Sequence, residues 1–339
     1  MTRLPSSPAS SRKNRWRPTR WKQRRAPAAV ALSLASPLSA KTLRWASVGD
    51  ALTLDPHAQN EGPTSAMAQH IYDPLIQRDP SLKKVPNLAL SWKPLEGDAW
   101  EFKLRPGVKF SDGSDFTSAD VKFSFERNVS EKSTNKRKRV FANIDKIETP
   151  DPLTVVITLK QPSALFPFDL AESTAAILSP KSVDGARTKP VGTGPYKFVR
   201  WVQGDSIEFE RYGDYVGPVK PQIDKVTFRF MPDENSQVLA LRSGQVDYVP
   251  YIAAVETIDS LKKDGKFKVT QGQTQGVLFL GMNNKKKPFT DIRVRRAMYA
   301  AIDAQMVNDG THGGFGRLGG AQTNKLNPYF VDVLGKQAY

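Results

Sequence analysis

The residues that could do chemistry are few and form no recognisable catalytic pattern. The chain has three histidines, His57, His70 and His312, and no cysteine. The lack of cysteine excludes a disulfide framework, a thiolate metal site and a cysteine nucleophile. No two histidines have the His-x-x-x-His spacing of a metal-binding helix, and the nucleophile elbow Gly-x-Ser-x-Gly is missing. A Ser-His-Asp triad stays open on spacing alone, because a fold can bring distant residues together.

A glycine-rich sequence near the C-terminus is a second candidate for chemistry. Gly314-Phe-Gly316-Arg-Leu-Gly319 matches the dinucleotide-binding pattern Gly-x-Gly-x-x-Gly. That pattern needs a strand before it and a helix after it, because amides at the helix N-terminus bind the pyrophosphate. Here it follows a predicted helix and enters a loop. We interpret it as a flexible connection, and we expect no cofactor, no metal and no enzymatic activity.

The charge of the chain is concentrated at its N-terminus. The formal net charge is +16, and residues 1–40 carry +9 of it without a single acidic residue. A basic nucleic-acid-binding protein is therefore an alternative interpretation. Such binding normally uses a concentrated basic and aromatic stripe, and residues 41–339 lack one. We expect no nucleic-acid partner.

Residues 1–40 also have the three parts of a secretory signal. A basic stretch ends at Arg24-Arg25, an apolar run extends over 26–35, and small residues precede a predicted cleavage after Ala40, with Ala35 as a second position. Both the general secretory route and the twin-arginine route stay open, and a disordered basic tail is the alternative. No later segment reaches the roughly 18 apolar residues of a membrane span. From the three-part pattern of residues 1–40, we predict a signal peptide over 1–40 and a periplasmic protein.

The rest of the chain alternates strand-like and helix-like segments, which is typical of α/β folds. The periodicity predicts strands over 43–48, 100–104, 154–160, 196–202, 206–211, 225–230, 246–249 and 277–282. It predicts helices over 66–75, 117–127, 233–243 and 291–307. The last helix is expected to bury a face formed by Val294, Ala297, Met298, Ala301 and Ile302.

Three short motifs predict how these segments begin and turn. Thr117-Ser-Ala-Asp120 has the form of a capping box, which would start a helix. Asp112-Gly113 predicts a turn. Gly192-Thr-Gly194-Pro195 predicts a tight turn in which the glycines adopt positive φ.

Five collinear motifs run through the chain. They are Leu-Thr-Leu-Asp-Pro-His (52–57) with Ile-Tyr-Asp-Pro-Leu (71–75), the segment from Trp100 to Val121, Gly-Thr-Gly-Pro-Tyr (192–196), Ser-Gly-Gln-Val-Asp-Tyr (243–248), and Met282-Asn283 with Pro-Phe-Thr-Asp-Ile-Arg (288–293). In this order and spacing they resemble solute-binding proteins of family 5, the dipeptide- and oligopeptide-binding type. The resemblance covers essentially all of 41 to about 330.

The resemblance implies an α/β fold of the periplasmic-binding-protein type (type II), with two lobes joined by hinge strands. It places lobe I in 41–250 and the start of lobe II in 251–339. Family members are considerably longer, so the resemblance implies an incomplete second lobe, in a fragment or a truncated gene product. A truncated, non-functional fragment of a family member is therefore an alternative interpretation. In the family, ligand is enclosed between the lobes, and hinge closure is read by a membrane permease.

The resemblance also implies a function and a set of contact residues. It indicates a monomeric extracytoplasmic receptor of an ABC importer, with a di- or oligopeptide as ligand and a permease in the inner membrane as partner. The loop 50–65 would face the ligand, and a second segment near 173 would approach it. An ordinary polar surface loop is the alternative. The predicted ligand-binding residues are Gln59, Asn60, Glu61, Thr64 and Ser173.

Overall fold

The structure, a computed structural model, describes residues 40–252, 255–272, 276–320, 325 and 330–334. The chain divides into residues 1–39 and a unit from Ala40 to Tyr339, and only the second is described. The predicted signal peptide, apart from Ala40, therefore lies outside the described residues. Within the described ranges, no helix has the length and apolar character needed to span a membrane.

The described chain contains ten strands and eight α-helices. The strands are β1 (Thr42–Ser47), β2 (Ile76–Arg78), β3 (Lys84–Pro86), β4 (Ala89–Leu95), β5 (Ala99–Leu104), β6 (Ile144–Asp151), β7 (Thr154–Leu159), β8 (Tyr196–Val202), β9 (Ser206–Arg211) and β10 (Lys225–Phe230). The helices are α1 (Gly62–Ile71), α2 (Ser118–Val129), α3 (Lys138–Ala142), α4 (Phe166–Asp169), α5 (Glu234–Arg242), α6 (Ile258–Lys263), α7 (Ile292–Ala301) and α8 (Ala304–His312).

The strands form two four-stranded sheets and a small hairpin. The first sheet has the order β1-β10-β9-β8, in which β1 and β10 are parallel and the other pairs are antiparallel. The second sheet has the order β4-β5-β7-β6 and is antiparallel throughout. Strands β2 and β3 pair as a separate hairpin. A parallel pair requires a crossover connection, and here the crossover contains the whole second sheet.

Each sheet has its own apolar core. The first sheet packs against α1, and their shared core includes Met67, Ile71, Phe209 and Phe228. The core of the second sheet joins α2 and the short helices α3 and α4. Its largest fully buried side chains include Phe102, Phe110, Phe125, Phe141 and Phe166. The two cores adjoin at the segment 175–177, because Ala176 belongs to the core of the first sheet and Ala175 and Ile177 belong to the core of the second.

Local sequence signals predicted several boundaries correctly. Strands β8, β9 and β10 have the predicted bounds. The capping box is formed, since the backbone N–H of Thr117 donates to the Asp120 carboxylate at 2.8 Å. In α5, the Asp233 side chain accepts from the N–H of Ser236, and Gly244 ends the helix with a φ of +73°. Gly113, in the predicted turn, has a φ of +86°.

Three predictions for the later chain are wrong. Residues 277–282 form no strand, and Leu278 and Phe279 are exposed. Residues 246–249 form a single bridge between Tyr248 and Trp45 in place of a strand. The predicted helix 291–307 is divided at Ile302 and Asp303 into α7 and α8, because Asp303 caps the N–H of Met306 and so starts a new helix. The expected apolar face is not buried in either helix.

The glycines of the motif 192–196 have a role other than the predicted one. Gly192 and Gly194 do not have positive φ, so the expected turn geometry is wrong. They are required because the chain passes directly over the end of α1. The N–H of Gly194 donates to the carbonyl of Ile71 at 2.8 Å, and a Cβ on Gly194 would lie 2.6 Å from that carbonyl carbon.

Substitution of Gly194 by alanine should therefore destabilise the fold. The added methyl would also lie 2.9 Å from the carbonyl oxygen of His70, and neither backbone atom can rotate away. Overpacking of this kind costs about 1–3 kcal/mol in the free energy of unfolding. Gly49→Ala is the matched control, because its Cβ would meet nothing within 4 Å. Urea unfolding of both variants checks the prediction, and equal stability would contradict it.

Candidate functional site

The loop that follows β1 is held in place by a buried ion pair. Arg127 of α2 donates through Nη1 to Oδ1 of Asp55 at 3.1 Å and through Nη2 to Oδ2 at 2.5 Å. The carboxylate also accepts the backbone N–H of His57 at 3.0 Å. Asp55 is 5% exposed, so this part of the motif 52–57 holds the loop and does not face solvent.

His57 belongs to the same buried network. Its Nε2 lies 2.8 Å from the carbonyl oxygen of Ala176, so Nε2 carries the proton. Nδ1 then accepts from Nη1 of Arg127 at 3.0 Å. Burial lowers the pKa of His57 to about 4. Both nitrogens of this neutral imidazole are used by the protein, which gives His57 a structural role.

The other histidines do not form a metal site either. The His70 ring lies among aromatic side chains and stacks on Phe209, and burial lowers its pKa. His312 ends α8. In the part of the chain that the structure describes, no group of three or more His, Asp or Glu side chains could hold a metal ion.

The predicted ligand residues of the loop lie at the start of α1, in different environments. Gln59 is half-buried and Asn60 is exposed. Glu61 is the N-cap residue of α1 but makes no side-chain cap, and its Oε1 is buried without a hydrogen-bond partner among the described residues. Thr64 is 1% exposed, and its hydroxyl accepts the N–H of Leu52 at 3.3 Å. Thr64 therefore holds the loop on the helix, and its predicted ligand contact stays a prediction.

Ser173 is brought to the same helix from a distant part of the chain. It lies in a 3₁₀ turn, 173–175, and its hydroxyl donates to the hydroxyl of Ser65 at 3.2 Å. The neighbouring Thr174 is 2% exposed, and its carbonyl accepts from Asn128 at 3.4 Å. The turn is therefore fixed in position, with Ser173 half-buried against α1.

A cavity of about 350 Å³ lies beside Ser173 and α1. The polar side chains in its wall are Gln69, Tyr72, Gln77, Arg78 and Ser173, and the apolar ones include Pro56 and Ala68. Of these, only Ser173 was predicted to contact ligand. Gln77 and Arg78 could not be identified from the sequence, because the short strand β2 that carries them was not predicted.

Arg78 is the charged group in the cavity wall. Its Nη2 donates to Oε1 of Glu172 at 3.0 Å, and its guanidinium lies 4.5 Å from the centre of the Phe168 ring. Arg137 lies nearby, 3.3 Å from Asp169 and 3.9 Å from Glu172. The Glu172 carboxylate is thus shared between two arginines.

Tyr72 lies in the same wall with an unsatisfied hydroxyl. The residue is 2% exposed, and its hydroxyl has no hydrogen-bond partner among the described residues. Burial raises the pKa of Tyr72 well above its usual value, so the hydroxyl stays protonated. A buried hydroxyl without a partner is costly, and ordered water or a ligand normally satisfies it.

The next residue, Asp73, belongs to a separate buried polar cluster. Its carboxylate accepts from Nδ2 of Asn87 at 3.0 Å, and its carbonyl accepts the N–H of Ile177. Arg105 donates to the carbonyl of Asn87. Burial raises the pKa of Asp73 to about 7. The motif 71–75 thus joins α1 to β2 and to the turn near Ser173.

Comparisons with known proteins identify the family. The model of the bacterial extracellular solute-binding proteins, family 5 (middle), matches residues 83–338. The chain is 34% identical over 280 residues to the glutathione-binding protein GsiB of Pectobacterium atrosepticum, and 32% identical over 283 residues to GsiB of Escherichia coli. The chain belongs to family 5 of the bacterial extracellular solute-binding proteins. Proteins of family 5 are transport receptors and not enzymes, in agreement with the sequence-based expectation.

Solved structures of family 5 relatives have the same fold. The periplasmic binding protein AgaA of Agrobacterium tumefaciens, in complex with agropinic acid, matches at 33% identity with a TM-score of 0.69 over 80% of this chain. DppA of Helicobacter pylori, in complex with a peptide, matches at 27% identity with a TM-score of 0.76 over 84% of this chain. The predicted fold class, a type II periplasmic-binding-protein fold of mixed α/β content, is confirmed.

The match covers only part of each family 5 relative. The chain spans about half the length, 54%, of the curated relatives GsiB. It covers 56% of AgaA and 61% of DppA. The predicted division into lobe I over 41–250 and the start of lobe II over 251–339 stays a prediction.

Proposed function

We propose that this chain is part of a periplasmic receptor that binds a short peptide or a peptide-like solute and delivers it to an ABC permease. The similarity to GsiB supports this proposal most strongly. It extends over 81% of this chain, and GsiB is by name a glutathione-binding protein. Glutathione is a tripeptide-sized solute with amide, ammonium and carboxylate groups. A peptide is also bound in the DppA complex.

The described residues supply polar groups that suit such a solute. Gln59 and Asn60 can bond peptide amides, and the Glu61 carboxylate can accept from an ammonium group. They lie at the start of α1, one to two turns from Ser65, which contacts Ser173. In our proposal these residues form one wall of the site. A second lobe would close over the ligand by hinge motion and exclude water.

Titration of the full chain with glutathione tests the proposal. Binding to the native state raises stability by mass action, by about 2.7 kcal/mol at a hundredfold excess over the dissociation constant. We expect the midpoint of thermal unfolding to rise with reduced glutathione, and isothermal calorimetry should give a saturable heat. A dipeptide library measured in parallel would show whether another peptide binds more tightly.

Variants of the loop make the test specific. Asn60→Ala should weaken binding, because it removes an amide that is exposed on the predicted ligand face. Thr64→Ser is the matched control in the same segment, since it keeps the hydroxyl that accepts the N–H of Leu52 and the side chain is only 1% exposed. Equal dissociation constants for both variants and the native chain would contradict the assignment of the loop. The absence of any saturable heat with peptides would contradict the proposed function of the chain.

A further inference from the structure

We propose that the cavity beside α1, β2 and the 173–175 turn binds a carboxylate group, with Arg78 as the anchoring cation. The inference rests on the proposed function, since it assigns the cavity to the acidic end of a peptide-like solute. It makes a narrower claim, because it names the chemical group and the residue that recognises it. A volume of about 350 Å³ is at the lower end of small-molecule sites, which measure about 300–1,000 Å³.

The geometry of Arg78 leaves most of its donors available. A guanidinium has five N–H donors arranged in a plane. Among the described residues, Arg78 uses one of them, Nη2 to Glu172. The Phe168 ring lies against the guanidinium at 4.5 Å. The Phe168 ring accepts none of these hydrogen bonds in the plane of the group, and the remaining N–H donors suit a planar carboxylate.

The charges around Arg78 allow an anion to approach. Arg78 and Arg137 face two carboxylates, Asp169 and Glu172. Arg137 lies 3.3 Å from Asp169 and also 3.9 Å from Glu172, so Glu172 is partly neutralised without Arg78. The Glu172 carboxylate competes for Arg78 but cannot saturate it. An incoming carboxylate can therefore bind beside it or take its place.

The rest of the wall matches a carboxylate attached to a polar chain. Ser173 offers a hydroxyl, and the Gln69 and Gln77 amides each supply donors and an acceptor. Tyr72 also lines the cavity. A cavity with polar side chains and an arginine in its wall is chemically different from the apolar pockets that bind hydrophobic ligands. These groups point to an acidic solute, or to the acidic end of a zwitterionic one.

Nuclear magnetic resonance of the arginine Nε–H groups tests the inference on the full chain. The probes are malonate, a dianion, and malonamide, its neutral analogue of similar size. We expect malonate to shift the Arg78 Nε–H signal saturably, and malonamide to leave it unchanged. The signal of Arg200 is the internal control, because that arginine is paired with Glu208 on the exposed face of the first sheet. No saturable shift at Arg78, or an equal shift with malonamide, would overturn the inference.

The substitutions Arg78→Gln and Glu172→Gln are expected to change malonate affinity in opposite directions. A merely structural role for Arg78 would not produce this pair of results. Arg78→Gln should weaken malonate binding roughly tenfold or more, as expected for loss of a charge-assisted hydrogen bond. Glu172→Gln should strengthen it, because the competing carboxylate is removed while Arg78 stays in place. Unchanged or weaker binding in Glu172→Gln would contradict the inference. If Arg78→Gln does not fold, the native-chain titration and Glu172→Gln still decide the matter.

These results are separable from the proposed function. Malonate binding at Arg78 without glutathione binding would support the carboxylate site and reject glutathione as the solute. Glutathione binding that leaves the Arg78 signal unchanged would support the receptor function and reject the cavity as the carboxylate site.

Discussion

Replacement of Arg127 by methionine is expected to lower the free energy of unfolding by about 3 kcal/mol. The substitution removes both N–H donors from Asp55 and leaves a carboxylate that is 5% exposed without its cation. Breaking a buried pair in this way costs about 3–5 kcal/mol. We expect a loss at the lower end of this range, because the Arg127 side chain is 27% exposed and water can reach part of the site.

Denaturant unfolding of Arg127→Met and a matched variant checks this expectation. Arg200→Met is the control, because Arg200 also pairs with a carboxylate, Glu208, but its side chain is 61% exposed. Exposed ion pairs contribute about 0–1 kcal/mol, so the control should change little. Similar losses in the two variants would mean that the Asp55 network is not a buried structural support.

Replacement of Asp73 by asparagine is expected to stabilise the protein at pH 8 and to have little effect at pH 4. The Asp73 carboxyl has a pKa of about 7 in the folded protein, raised from 3.8 by burial. A group with a raised folded pKa contributes stability in its protonated form, below pH 3.8, and loses that contribution as the pH rises through 7. The shift corresponds to roughly 4 kcal/mol at most. Asparagine keeps an acceptor for Asn87 and carries no charge.

The measurement is the free energy of unfolding of both proteins between pH 4 and 8. The difference between Asp73→Asn and the native chain should grow across this range. His57 acts with the opposite sign, because its lowered pKa of about 4 favours the fold above pH 6.5 and that contribution is lost as the pH falls. Its effect is common to both proteins and cancels in the difference. A difference independent of pH would show that the carboxyl is not held protonated by burial.

The helices and strands that were predicted correctly from the sequence are those whose bounds depend on residues close to them in the chain. Asp233 and Gly244 define the ends of α5 through a side-chain cap and a positive φ, and both effects act within a few residues. Strands β8 and β9 are joined by a short turn at Gly204, and their alternation is visible in the sequence. In these cases local chemistry and the final structure agree.

The elements that the sequence missed depend on distant neighbours. Strands β2 and β3 have three residues each, and Lys84 and Pro86 conceal any alternating pattern. The two glycines of the motif 192–196 seemed to serve a turn, but their actual constraint is the backbone of Ile71, more than a hundred residues away. No local pattern contains that information.

The candidate site shows the same limit. Ser173 and the loop 59–61 were predicted from a family resemblance, whereas the other residues of the cavity wall were not. Its charged residue, Arg78, pairs with Glu172, which is 94 residues away in the chain. Thr64 was predicted to contact ligand because it is polar and lies in the loop region, and its hydroxyl accepts the backbone N–H of Leu52. Polarity alone does not distinguish these two uses.

The parallel pairing of β1 with β10 has a consequence for the order of events during biosynthesis. The N–H of Lys41 donates to Asp224, 183 residues later, and Arg44 pairs with Asp247, 203 residues later. The first strand therefore cannot be paired until residues 225–230 and Asp247 have been synthesised. Contacts of such long range are slow to form. For the periplasmic receptor that we propose, this delay would favour export, because the first strand would stay extended and unpaired until its partner residues have been synthesised.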